Sequence, residues 1–226
     1  MHSSSSNPFQ LSQQTQFSFH NDWILYADQE IVIANKPSGL LSVPGRGPKK
    51  QECLVSHLLP IYPSIKTVHR LDMDTSGLIV LALNSEAHRH LSRQFQERET
   101  SKTYHAICTG IPSQKKGTIK LPMRCDWDKR PLQMIDFKYG KSAETHWTIM
   151  QQYNDSFLVE LTPVTGRSHQ LRLHMKSLGH PILGDNLYAD RITLHNSTRL
   201  QLHATVLSFK HPTTQQRITF TVPNNF

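Results

Sequence analysis

The run LIVLAL, residues 78–83, is apolar at six consecutive positions and too short for most helices. It reads as a strand buried on both faces, and a chain holding such a strand must supply cover to each side of it. Further segments of strand length are bounded by Pro, Gly, Asn and Ser: 30–35, which ends before Pro37, KTYHAICTG at 102–110, and 144–151, 157–161, 200–209 and 217–222. CLVSHLLP, 53–60, reads as a short helix stopped by Pro60. SEAHRHLSRQFQERE, 85–99, places Ala87, Leu91 and Phe95 at four-residue spacing under a charged outer face, the pattern of an amphipathic helix. Strands and helices do not alternate regularly. The order predicts an α+β fold with a mixed sheet rather than a doubly wound parallel one.

Residues 1–20 are rich in Ser and Gln and poor in aliphatic side chains, so they bury too little surface to offset ordering entropy. A flexible arm over 1–20 and one domain over 21–226 are expected. Lys and Arg number 25 against 17 Asp and Glu, a formal net charge of +8 that favours a polyanionic partner, nucleic acid first. Cys53, Cys108 and Cys125 are odd in number and unevenly spaced, which suggests neither a disulfide framework nor a cysteine-based zinc site. The fourteen histidines come without HExxH or a carboxylate triad, so no metal is expected. No apolar run approaches the roughly twenty residues that span a bilayer, and the first residues lack a signal-peptide pattern. The expectation is a cytosolic protein that does not engage membranes.

In TGRSHQLRLHMKSLGHP, 165–181, Ser168 reads as a helix N-cap and Gly179 as a left-handed terminator followed by Pro181. At about 100° per residue, Leu171, Met175 and Leu178 share one face and His169, Arg172 and Lys176 the opposite one. The blunt reading of that cationic stripe is a solvated face. The start of this helix, with Arg167 beside it, suits a phosphate or carboxylate.

HRLDMDTSG, 69–77, enters the buried run and carries two carboxylates one residue apart. In extended backbone Asp72 and Asp74 point the same way and repel, so they are not equals. An aspartate in an arginine-rich setting stays ionised, which suits a nucleophile or general base. Turn capping is the plain alternative for Asp74. The likeness of DTSG to the aspartic-protease signature fails for want of a second copy.

HRLDMDTSGLIVLA resembles the central signature of the RluA family of pseudouridine synthases. NKPSGLLSVPG is similar to that family's first motif, ERETSKTYHA to its tyrosine-bearing strand, and LTPVTGRSHQLRLHMKSLGHPILGDNLYA to its arginine-bearing segment. The four motifs are collinear and the likeness spans about residues 23–226. It implies a mixed, mainly antiparallel sheet flanked by helices and loops. It implies Asp72 as the catalytic residue, Arg70 as the arginine that displaces the target base, Tyr104 as the ring that stacks on the uracil and a candidate for proton transfer at C5, and Arg172 as the partner of the catalytic carboxylate. The reaction neither oxidises nor imports anything, so no cofactor is implied. The compact chain, without an S4-like module, together with NKPSGLLSVPGR and LPMRCDWDKRPLQ, most resembles the family branch that modifies a large-subunit rRNA hairpin loop and certain tRNA anticodon stem-loops. A monomer acting without an obligate protein partner is expected. A noncatalytic RNA-binding module would leave the set Asp72, Tyr104 and Arg172 unexplained. A glycoside hydrolase would want a second, protonated carboxylate, and none stands out.

Overall fold

A computed structural model describes residues 17–226. The strands are β1 (Ile24–Ala27), β2 (Ile31–Lys36), β3 (Lys66–Thr67), β4 (Ser76–Ala82), β5 (Ser101–Thr109), β6 (Lys116–Lys120), β7 (Met123–Cys125), β8 (Gln133–Ile135), β9 (Glu144–Gln152), β10 (Ser156–Pro163), β11 (Leu202–Lys210) and β12 (Arg217–Thr221). The helices are α1 (Leu54–Leu58), α2 (Ser85–Glu97), α3 (Gln170–Ser177) and α4 (Arg191–His195). One large sheet runs β1-β2-β4-β11-β5-β10-β9-β6, with β12 on β11 and β3 on β4, while β7 and β8 form a separate hairpin. All its pairs are antiparallel except β4 with β11. This is the mixed, mainly antiparallel α+β architecture expected.

The buried run behaves as its composition requires. Leu78, Val80 and Ala82 of β4 face a cluster with Ile31, Ala87, Leu91 and Phe209. Ile79 and Leu81 face the other side, against Trp23, Leu40, Leu54 and Leu58. α2 and α1 therefore cover opposite faces of the same strand. α1 is closed by a reciprocal cap in which the Ser56 N–H donates to Cys53 Sγ and the Cys53 N–H to Ser56 Oγ. In the other half of the sheet, Phe157, Val159 and Leu161 of β10 pack with Ala106 and Cys108 of β5 beneath Leu171 and Met175 of α3.

Of the arm expected over 1–20, residues 1–16 lie outside the described residues. Phe17 and Phe19 pack edge-on against Trp23, and the Phe17 N–H donates to Glu52 Oε1 at 2.8 Å. Ser168 does not cap α3. The residue preceding the helix is His169, in left-handed backbone and without a side-chain cap bond. Leu178, placed on the apolar face by periodicity, is 39% exposed, and Arg172, read as solvated, is 2% exposed. The helix is buried on two sides because the 185–188 segment covers the face that the sheet does not.

The parallel contact of β4 with β11 is made at its start, where His203 pairs with Ser76 and Ala204 with Gly77. Gly77 has φ +107°, and a Cβ there would lie 2.3 Å from the Ala204 carbonyl oxygen. The Thr-Ser-Gly of the signature is thus the entry of a strand, with glycine needed for both its backbone angle and the close approach. Gly77→Ala is expected to destabilise the fold by about 2–4 kcal/mol and to lower Tm by roughly 5–15 °C in thermal denaturation. An unchanged Tm would contradict this register.

Candidate active site

Residues 69–75 run without regular structure between β3 and β4, and their shape is set by the segment 35–42. Lys36 Nζ donates to the carbonyls of Pro37, Leu40 and Met73 at 2.7–2.9 Å. The Gly39 N–H donates to the same Met73 carbonyl, Ser38 Oγ to that of Asp74, and Ser42 Oγ to that of Leu71 while accepting the Leu71 N–H. The motif NKPSGLLS is therefore a clamp on the backbone that carries both aspartates. Burial brings the Lys36 ammonium down to about 7, opposed by Asp74 and Asp72. His69 enters the loop with Nε2 accepting the Val80 N–H at 3.1 Å and its ring stacked on Phe95. Burial, with Lys102 adding to it, pushes its pKa down to about 3 and keeps it neutral. Its part is structural.

The loop opens on a cleft of about 870 Å³, whose walls include Asp72 and Asp74, Tyr104 of β5, the 164–169 loop and Arg172 of α3. A recess of about 100 Å³ shares Asp72, Tyr104 and Arg172 with it and is also lined by Leu171 and Leu202. All four residues singled out in the sequence line this cleft. Arg70 is exposed at its rim, and among the described residues nothing engages it by hydrogen bond or ion pair. The Asp72 side chain is 26% exposed and lies 4.0 Å, from Oδ1, from Nε2 of His169. Among the described residues no group hydrogen-bonds its carboxylate. Asp74 instead accepts from Asn186 Nδ2 at 3.1 Å. Burial, and then the Asp72 charge, holds the Tyr104 phenol well above its ordinary range, so it keeps its proton and presents a ring and an O–H rather than a ready base.

Arg172 is placed otherwise than the resemblance implies. Its fork closes on Asp185, Nε to Oδ2 at 2.9 Å and Nη2 to Oδ1 at 2.6 Å, with Nη2 also donating to Asn186 Oδ1. Asp185 is fully buried and also accepts the Leu187 and Tyr188 N–H groups. Burial opposes the guanidinium charge, but Asp185 chiefly, then Asp72 and Asp74, raise its pKa above the ordinary value. The direct pair with Asp72 is not formed; Arg172 is a fixed cation in the wall beside it. The preference for this partner follows from satisfaction: a buried carboxylate with four donors is stable, and one without its arginine is not.

Several contributors were not visible as such in the sequence. Lys36, Ser38 and Ser42 act on backbone carbonyls, which no side-chain pattern announces. Asp185 and Tyr188 sit in ILGDNLYA, and their only signal was membership of the arginine-bearing motif. Cationic side chains gather on the cleft, Arg70, Arg98, Lys102 and Arg167 among them. Lys102 is depressed below its ordinary pKa by burial and by the like charge of Arg98. Among the described residues no three His, Cys, Asp or Glu side chains converge as metal ligands.

The family model for RNA pseudouridylate synthases matches residues 30–177. The chain is 48% identical over 204 residues to the Dual-specificity RNA pseudouridine synthase RluA of Salmonella typhi, covering 90% of this chain and 93% of that protein. It is 47% identical to the protein of the same name from Escherichia coli (strain K12), with the same coverage. Among solved structures it is similar to Human RNA Pseudouridylate Synthase Domain Containing 1, with TM-score 0.76 and 28% identity over 90% of this chain and 83% of that one. Human RNA Pseudouridylate Synthase Domain Containing 4 gives TM-score 0.72 and 26% identity over 89% and 88%. With the family's motifs gathered round one cleft and these relatives matched along nearly their whole length, the chain belongs to the RNA pseudouridylate synthase family.

Proposed function

We propose that this protein is a dual-specificity RNA pseudouridine synthase, acting on uridines in a large-subunit rRNA hairpin loop and in tRNA anticodon stem-loops, with Asp72 as the reacting carboxylate. The observation that carries the assignment to Asp72 is its isolation. Of the two carboxylates in the loop, Asp74 is bound to Asn186, whereas Asp72 faces the cleft with its oxygens uncommitted and Tyr104 across from it. An oxygen that must attack or abstract cannot already be fully engaged. The dual specificity rests on the names of the two bacterial relatives, and the division between rRNA and tRNA on the motif resemblance.

The reaction breaks the bond from ribose C1′ to uracil N1, turns the base, joins C1′ to C5 and releases the C5 proton. The uracil must first leave its stack, at about a few kcal/mol. Stacking on Tyr104 returns about 1–3 kcal/mol of that. Arg70, exposed and unengaged at the rim, is free to fill the vacated place. Asp72 then attacks C1′, as the carboxylate of a retaining glycosidase does, or takes a ribose proton to give a glycal. Arg172 sets the field at Asp72 from a position that Asp185 fixes. The cationic rim supplies the phosphate contacts. The three free cysteines support a cytosolic setting.

Asp72→Asn keeps the shape of the side chain and removes its charge. Tritium release from C5-labelled uridine in RNA is expected to fall by about three orders of magnitude or more, some 4 kcal/mol in activation free energy. Asp74→Ala should stay within about tenfold of the parent enzyme. If Asp74→Ala were as inactive as Asp72→Asn, the choice between the carboxylates would be wrong. Arg172→Lys keeps the charge but not the fork. Its kcat should fall by about 10–100-fold under conditions where circular dichroism shows it folded, with KM for RNA little changed. An unaltered kcat would remove Arg172 from the account.

A further inference from the structure

His169 holds an unusual backbone for an unusual aim. It precedes α3 with φ 53° and ψ 19°, left-handed values uncommon for a residue with a Cβ, though histidine adopts them more often than most. It caps nothing. Its ring stands at 78° to that of Tyr188, with Nδ1 2.8 Å from the Tyr188 hydroxyl and Nε2 4.0 Å from Asp72 Oδ1.

The hydrogen bonding around Tyr188 decides which nitrogen carries the proton. The Tyr188 oxygen already accepts the Gln133 N–H at 2.8 Å, and the side chain is 5% exposed. Burial pushes the phenol up to about 12, so it keeps its single proton. Among the described residues His169 Nδ1 is the acceptor offered to that proton. Nδ1 therefore accepts, and the ring proton sits on Nε2, facing Asp72. Burial lowers the His169 pKa against the opposing pull of Asp72, and Arg172 lowers it further, so the ring is neutral; Asp185 and Asp74 are the other charges that face it.

We propose that His169 is a positioning residue for Asp72: Tyr188 locks its tautomer, and its Nε2–H closes on Asp72 Oδ1 when a uridine enters, leaving Oδ2 for the sugar. The proposal rests on Asp72 being the reacting group. The present gap is longer than a hydrogen bond, as contacts of this kind commonly are before substrate arrives. A purely structural histidine would need only its bond to Tyr188. Asparagine, which tolerates left-handed backbone better, would then serve at least as well. The aim of Nε2 gives a reason for histidine where asparagine would suit the backbone better.

Two substitutions separate these roles. His169→Asn offers an acceptor at the level of Nδ1 and suits the backbone, but places nothing at the level of Nε2. His169→Gln carries an amide donor to the level of Nε2 and suits the backbone less well. In steady-state tritium release, His169→Asn is expected to lose about 10–100-fold in kcat with KM for RNA within about threefold, although its Tm is no lower than that of His169→Gln. His169→Gln should keep kcat within about fivefold of the parent. The proposal is overturned if His169→Asn turns over at the parent rate, or if His169→Gln is as slow as His169→Asn. If His169→Gln does not fold, Tyr188→Phe decides, since it removes the hydroxyl bonded to His169 Nδ1 but neither ring; because Gln133 N–H loses the same partner, it is read at a temperature where circular dichroism shows it folded. A kcat reduced by about fivefold or more with KM for RNA little changed supports the proposal, and an unchanged kcat overturns it. Activity in Asp72→Asn would sink the underlying reading instead, whatever His169 does.

Discussion

A single buried ammonium holds the loop that carries both aspartates in shape. Lys36 has no exposed surface, and in its charged form its three protons go to three carbonyls, two in its own turn and one at Met73, between the two aspartates. Burying a lone charge costs several kcal/mol, and here charge-assisted hydrogen bonds and the nearby carboxylates offset that cost. The dependence is mutual. Residues 71–74 have no sheet partners of their own, so without Lys36, Ser38 and Ser42 the chain between His69 and β4 would be free to turn its aspartates elsewhere. Gly77 then fixes where that loop enters the sheet, because only glycine passes so close to Ala204.

The rigid part of the fold was legible because periodicity reports burial directly. LIVLAL became β4 with both faces covered, 85–99 became α2 over Ser85–Glu97, and the strands at 144–151 and 200–209 are found within a residue or two. β1, β3, β6, β7 and β8 did not stand out; they are short or polar, and edge or hairpin pairing rather than burial makes them strands. The cap of α3 was misplaced because Ser168 has the right chemistry, while the N-cap position is held by His169, in left-handed backbone and without a side-chain cap bond. The faces of α3 were assigned correctly by angle and wrongly by environment. A helical wheel cannot know that Asp185 waits opposite Arg172.

The site has a consistent electrostatic logic. A chain with excess positive charge gathers cations at the cleft mouth, where phosphates can meet them, and commits its buried arginine to a buried carboxylate. Asp72 is left as the acidic group that faces the cleft without a hydrogen-bond partner among the described residues. It is held by backbone clamps from one side and approached by Arg172 and His169 from the other. The sequence singled out Asp72 but not the frame that orients it. That frame is built from carbonyls, a tautomer and an ion pair one step removed.

The most direct measurement is the structure of the enzyme with a stem-loop it modifies, carrying 5-fluorouridine at the target so that no C5 proton is available to leave. The account predicts the base extruded and lying on Tyr104, with an Asp72 oxygen at, or bonded near, the ribose, about 3–3.5 Å from C1′ if no covalent bond has formed. A target base still stacked in the RNA, or a ribose nearer to Asp74 than to Asp72, would contradict it.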